Sequence, residues 1–182
     1  MKKILSLLAF LAVGVFATGC SMSSVDPVTY NDSIVDVMNN IDKVYNDYSV
    51  YGEETSLEYV DKIEERRVQA LATMSGLVAQ FDTIGSYRDD STLIDAARDY
   101  GKKNLELMDG AEKELVALWK KLADDETMSE ETFKAEQKVI VDKINAAFDE
   151  MDTTFETIQT SFAAKHGYEL EAAPSTSVGT SE

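Results

Sequence analysis

The amino-acid sequence predicts an all-α protein, an up-down-up-down four-helix bundle with long antiparallel helices. Four stretches carry apolar residues at alternating spacings of three and four, which keeps one face of each helix against a core. No stretch shows the sustained alternation of a strand. The connections are short, so consecutive helices should run antiparallel. A pair of long hairpins completed by dimerisation is the alternative architecture.

The first helix is expected to begin at Asp26-Pro27, an N-cap residue followed by proline at the first helical position. We expect Gly52 to interrupt it and Ser56 to cap the second helix. The apolar stripe of the first helix is Tyr30, Ile34, Val37, Ile41, Val44, Tyr48 and Tyr51. The stripe of the second is Val60, Ile63, Arg67, Ala70, Met74, Leu77, Phe81 and Ile84.

A turn-rich segment from Gly85 to Asp90 precedes the third helix, which Asp90 or Ser91 should cap. Ser129 should cap the fourth helix, and Gly167 should end it in a left-handed conformation. The stripe of the third helix is Leu93, Ala97, Tyr100, Asn104, Leu107, Ala111, Leu115, Leu118 and Leu122. The stripe of the fourth is Phe133, Gln137, Ile140, Ile144, Ala147, Met151, Phe155, Ile158 and Phe162.

Composition excludes several classes of function. The chain has 182 residues, 34 of them acidic and 17 basic, and a formal charge of −17. Because a nucleic-acid binder needs a basic face, we expect no nucleic-acid partner. One Cys and one His exclude a disulfide framework, a thiolate zinc site and a multi-histidine metal site. The di-iron signature Glu-x-x-His is missing, since Ala163 lies three residues before His166.

The N-terminus predicts an export signal. Lys2 and Lys3 precede an almost unbroken apolar run of 13 residues, too short to cross a membrane as a helix. Ala17-Thr18-Gly19-Cys20 follows, and small residues before a cysteine resemble the bacterial lipobox. In proteins with that motif, the cysteine receives diacylglycerol on its sulfur and becomes the mature N-terminus. Cys20 is therefore the predicted lipidation site, and covalent lipid is the only cofactor we expect.

The predicted domain organisation follows from this signal. Residues 1–19 are a lipoprotein signal peptide, 20–25 a tether, 26–170 the bundle and 171–182 a disordered tail rich in Ser, Thr, Pro and Gly. Loss of Lys2 and Lys3 takes the formal charge from −17 to −19, so the domain should stand off anionic headgroups. Under the common sorting rule, Ser21 favours the outer membrane. The sequence does not decide between the periplasmic and the external face of that membrane.

Polar residues in the stripes are the candidate binding residues. Arg67, Asn104 and Tyr48 could orient a small ligand between the helices, with Tyr45, Tyr51 and Tyr59 close by. The competing interpretation is structural: a charged or amide side chain in the seam sets helix register through internal partners. If Arg67 has only that role, leucine in its place should leave stability unchanged or raise it. We interpret His166, beside Lys165, as a cation at the negative end of a helix dipole.

The chain also resembles an uncharacterised family of bacterial surface-type lipoproteins. The likeness rests on the opening Tyr30-Asn31-Asp32-Ser33-Ile34-Val35, on the break at 85–90, and on Ala163-Ala164-Lys165-His166-Gly167-Tyr168-Glu169-Leu170. The resemblance implies a lipid anchor and a helical domain, and it implies no catalytic residue.

The sequence therefore predicts a non-enzymatic, lipid-anchored module of the bacterial envelope, held at the membrane by its lipid. An envelope protein is the expected kind of partner, and the oligomeric state stays open. The alternative is a periplasmic module that binds or senses a small ligand near Arg67.

Overall fold

A computed structural model describes residues 25–54, 59–124 and 127–170, which form six α-helices and no strand. They form four antiparallel rods: one is α1, the second α2 with α3, the third α4 with α5, and the fourth α6. The four-helix bundle predicted from the sequence is confirmed. The helices are α1 (Pro27–Glu54), α2 (Val60–Val78), α3 (Gln80–Ile84), α4 (Thr92–Asp109), α5 (Ala111–Asp124) and α6 (Glu130–His166).

The predicted apolar stripes form the core. Every stripe position from Leu93 to Ala111 is buried, and so are the four stripe positions from Tyr30 to Ile41. The stripe of α6 is half-buried over its first turns, at Phe133 and Ile140, and is buried at Phe155 and Phe162. The spacing of three and four residues therefore identified the faces on which the helices pack.

Most of the predicted helix ends are present. The Asp26 carboxylate accepts hydrogen bonds from the backbone N–H groups of Val28 and Thr29, both at 3.1 Å. The Ser129 hydroxyl accepts from Thr132 N–H at 3.1 Å. Gly167 adopts φ 75° at the end of α6, where a glycine carries no steric penalty. The expected break at Gly52 is wrong, because α1 continues to Glu54.

Two rods contain a break that periodicity did not predict. Ala79 separates α2 from α3, and Gly110 separates α4 from α5. A Cβ at position 110 would lie 2.8 Å from the carbonyl oxygen of Glu106, so only glycine fits this bend. At Gly101 a Cβ would lie 2.7 Å from a methyl group of Val78. Gly101 therefore allows α4 to approach α2 closely.

Several features predicted from the sequence lie outside the described residues. This holds for the signal peptide, for Cys20 and nearly all of the tether, and also for Ser56 and the C-terminal tail. In the part of the chain that is described, no helix is both long enough and apolar enough to span a bilayer.

Candidate functional site

Arg67 lies on α2 in the interior of the bundle, with 3% of its side chain exposed. Its Nε and Nη2 atoms donate to the two carboxylate oxygens of Glu64 at 2.8 and 2.7 Å. Nη1 donates to the backbone carbonyl of Met108 at 2.7 Å. Met108 belongs to the last turn of α4, where helix carbonyls lose their intrahelical partners. Arg67 therefore joins α2 to the break between α4 and α5.

Tyr48 and Tyr45 face a buried carboxyl group from another rod. Both hydroxyls are hydrogen-bonded to Glu112 on α5, whose residue is only 4% exposed. Burial and the neighbouring Glu112 carboxylate raise the pKa of both tyrosines, so their protons stay in place as donors. The ring of Tyr45 also packs edge-on against Phe148 of α6, with centroids 4.7 Å apart.

Burial raises the pKa of Glu112, while the two tyrosine hydroxyls and the charge of Arg67 pull it the other way. These four residues, Arg67, Tyr45, Tyr48 and Glu112, form the polar centre of the bundle, and we call them the central cluster. Arg67 is bonded to Glu64 and Met108, the two tyrosine hydroxyls are bonded to Glu112, and the charge of Arg67 acts on Glu112. The sequence-predicted Arg67 and Tyr48 are thus brought into one cluster.

Asn104 is also in the interior, on α4, and is fully buried. Its Nδ2 donates to the carbonyl of Tyr100 at 3.1 Å and approaches the Met151 sulfur at 3.9 Å. Its Oδ1 has no hydrogen-bond partner. The amide lies against α6, so it links α4 to α6 and is not one of the residues that bond to Glu112.

His166 contributes to a second polar site, at the end of the bundle. Its Nε2 lies 3.0 Å from Oδ2 of Asp90, and Lys165 Nζ lies 2.7 Å from the same oxygen. The imidazole also packs on Phe162 and Tyr87, with ring centroids 4.3 and 4.9 Å away. These contacts attach the last turn of α6 to the turn that precedes α4. They are more specific than the predicted interaction of a cation with the helix dipole.

A groove of about 220 Å³ runs between α2 and α5. Its lining includes Glu64, Val116 and Lys120, and neither Arg67 nor Tyr48 reaches it. Within the described residues, no group of three or more His, Cys, Asp and Glu side chains is arranged to hold a metal ion. The groove meets the central cluster only through Glu64, the carboxylate that is paired with Arg67.

Glu112 is the site residue that the sequence analysis missed. It directly follows the stripe residue Ala111. In the single third helix that the sequence predicted, it therefore lies next to the apolar stripe and not on it. In α5, which starts after the break at Gly110, Glu112 and Val116 are both buried. A glycine inside a predicted helix was the available signal, but it does not give the direction in which the helix turns.

Comparison of the chain with protein-family models, with curated proteins and with solved structures finds no match in any of the three.

Proposed function

We propose that this protein is a lipoprotein of the bacterial envelope, anchored through lipid on Cys20, whose helical domain is a non-enzymatic interaction or structural module. One observation carries the anchor: the only cysteine follows Ala17-Thr18-Gly19 directly after a short apolar run. Two or more acyl chains are needed for stable attachment, and diacylation of the sulfur together with acylation of the new N-terminus supplies them. The outer membrane is the proposed location, on the strength of Ser21.

The contacts of the central cluster support a structural role for its polar residues. Arg67 bonds to Glu64 and Met108, while Tyr48 bonds to Glu112. A small ligand would have to displace these partners from a buried position, which carries a large desolvation cost. The alternative, a ligand-binding module centred on Arg67 and Tyr48, therefore has less support than a packed bundle that acts through its surface.

The charge of the surface suggests how the module would act. With a formal charge of −17 over the chain, the domain repels anionic headgroups and other acidic proteins. An envelope protein with a basic contact surface is the partner that such a domain would attract.

The anchor can be tested by intact mass spectrometry of the protein purified from its native membrane. We expect a chain that begins at Cys20 and carries diacylglycerol plus one further acyl group. Cys20→Ala should accumulate as the uncleaved precursor, while Ser21→Ala, the matched control, should keep its lipid. An unmodified N-terminus at any other residue would exclude the anchor.

The choice between a module and a ligand-binding protein requires a separate measurement. Native mass spectrometry of the gently purified protein should give the mass of the lipidated chain alone. A co-purifying small molecule of constant mass that is lost in Tyr48→Phe would establish the binding alternative instead. Glu114→Gln, an exposed change on α5, serves as the control for non-specific loss.

A further inference from the structure

Two carboxyl groups from different rods meet at one tyrosine hydroxyl. Tyr100 of α4 donates to Oδ1 of Asp42 on α1 at 2.8 Å, and its oxygen lies 3.4 Å from Oδ1 of Asp152 on α6. A hydroxyl carries one proton, so it donates fully to only one of these carboxylates. We call Asp42, Tyr100 and Asp152 the acid triad.

The surroundings of the acid triad supply no compensating cation. The influences on Asp42 are burial, the Tyr100 hydroxyl and the Asp152 charge, with no lysine or arginine of the described residues among them. On α6, Asp149 and Glu156 add further negative charge near Asp152. Lys103 of α4 is paired with Glu150 of α6 at 2.8 Å. The helices α2 and α3, which also pack on α1, contribute no charge that acts on Asp42.

This environment resists ionisation of both acids. Burial raises the pKa of Asp42 to about 6, with the Tyr100 bond opposing the rise and the Asp152 charge adding to it. Partial burial of the carboxyl group also raises the pKa of Asp152, although the residue as a whole is exposed. The state in which both groups are charged is therefore reached only toward neutral pH, and it places two like charges on facing helices.

We propose that the acid triad is a proton-operated latch between α1 and α6. With one proton added, the Asp42 carboxyl group donates to the Tyr100 oxygen and Tyr100 donates to the Asp152 carboxylate, so α1, α4 and α6 are joined by one chain of hydrogen bonds. Loss of that proton leaves Tyr100 donating to a single acceptor, and the two negatively charged carboxylates then repel each other. The contact between α1 and α6 then opens more often.

The latch can be tested on the wild-type chain by following the carboxyl carbons of its aspartates by NMR as pH changes. We expect Asp42 to titrate near pH 6. In Asp152→Asn its pKa should fall, since the neighbouring charge is gone, and in Tyr100→Phe it should rise, since the donor is gone. Titration of Asp42 at the ordinary aspartate value in the wild type would overturn the proposal without any variant being needed.

Hydrogen exchange then tests the mechanical consequence. Exchange rates corrected for the intrinsic rates give the equilibrium constant for opening of the α6 amides around Asp152. We expect this constant to rise about tenfold from pH 5 to pH 8, and a tenfold change corresponds to one pKa unit. Asp42→Asn stays neutral and should abolish this rise. Asp47→Asn, an exposed change on α1, should retain it. An unchanged pH dependence in Asp42→Asn would also overturn the latch.

Discussion

Arg67 on α2 donates a 2.7 Å hydrogen bond to the backbone carbonyl of Met108, at the turn where α4 gives way to α5. The rod formed by α4 and α5 bends at Gly110, and a bend leaves helix carbonyls in need of donors. Arg67 supplies one from the neighbouring rod while Glu64 neutralises its charge. A charged residue in the seam is thus explained by a break in another helix.

Arg67→Leu is therefore expected to destabilise the bundle by about 2–3 kcal/mol, because the Met108 carbonyl stays buried without its donor. This reverses the expectation from sequence alone, that leucine at a seam position would be neutral or stabilising. The free energy of unfolding in urea, followed by circular dichroism, measures the effect. Lys102→Leu, an exposed change on α4, should stay within about 0.5 kcal/mol of the wild type. Wild-type stability in Arg67→Leu would show that the Met108 bond contributes nothing.

Two glycines inside helices should respond in opposite ways to alanine. A Cβ at Gly76 meets no atom within 4 Å, so Gly76→Ala should gain about 0.5–1 kcal/mol from helix propensity. A Cβ at Gly101 would lie 2.7 Å from Val78, so Gly101→Ala should destabilise despite the same gain. Thermal unfolding of the two variants side by side gives the comparison. Stabilisation of both would mean that α2 and α4 are not in close contact at this point.

Asp90 should make the protein sensitive to acid. Burial disfavours its charge, but bonds from Lys165, Thr92 and His166 outweigh burial and hold its pKa well below the ordinary value. A lowered folded-state pKa contributes stability above the unfolded value of 3.8, and this stability is lost as pH falls through the folded value. Asp90→Asn should cost about 1–3 kcal/mol at pH 7, and the gap to wild type should close in acid.

Unfolding curves recorded from pH 7 down to pH 2 test this sign. Asp89→Asn is the matched control, because Asp89 is the exposed neighbour of Asp90. A gap between Asp90→Asn and wild type that widens in acid would contradict the role given to the Lys165 and His166 bonds.

Glu112 should act in the opposite direction. Its pKa is raised by burial, so its neutral form suits the fold, and stability is lost as pH rises through the folded value. Glu112→Gln keeps an acceptor for Tyr45 and Tyr48 without the charge. It should be more stable than wild type at pH 8 and indistinguishable near pH 4 in urea unfolding. A variant less stable than wild type at pH 8 would mean that Arg67 needs the Glu112 charge.

Periodicity predicted the four rods and most of their buried positions, because burial follows the helical repeat, but it missed buried residues beside the stripes such as Met38 and Ile94. Asp26, Ser129 and Gly167 marked helix ends because each acts within its own turn of chain. The breaks at Ala79 and Gly110 leave the spacing of three and four residues intact, so periodicity does not reveal them. Gly52 breaks no helix, since a glycine inside a helix costs only about 1 kcal/mol.

For the central cluster, the sequence singled out Arg67 and Tyr48 but not their partners. Tyr48 lay on the stripe and Arg67 interrupted it, whereas Glu112 lay outside the predicted stripe although it is buried. The partners of Arg67 include a backbone carbonyl, and no side-chain pattern identifies such an acceptor.

The Tyr30 and Phe162 rings are 5.6 Å apart, so the chain enters and leaves the bundle at the same end. If Cys20 holds that end at the bilayer, the opposite end, where α1 stops at Glu54 and α2 starts at Val60, stands off by roughly 40 Å, the length of a 28-residue helix. An epitope tag inserted directly after Leu170 would then lie at the membrane-proximal end, whereas a tag between α1 and α2 would lie at the distal end, open to antibody. Under the proposed anchor, we expect an envelope partner to reach the membrane-distal tip before the rest of the domain.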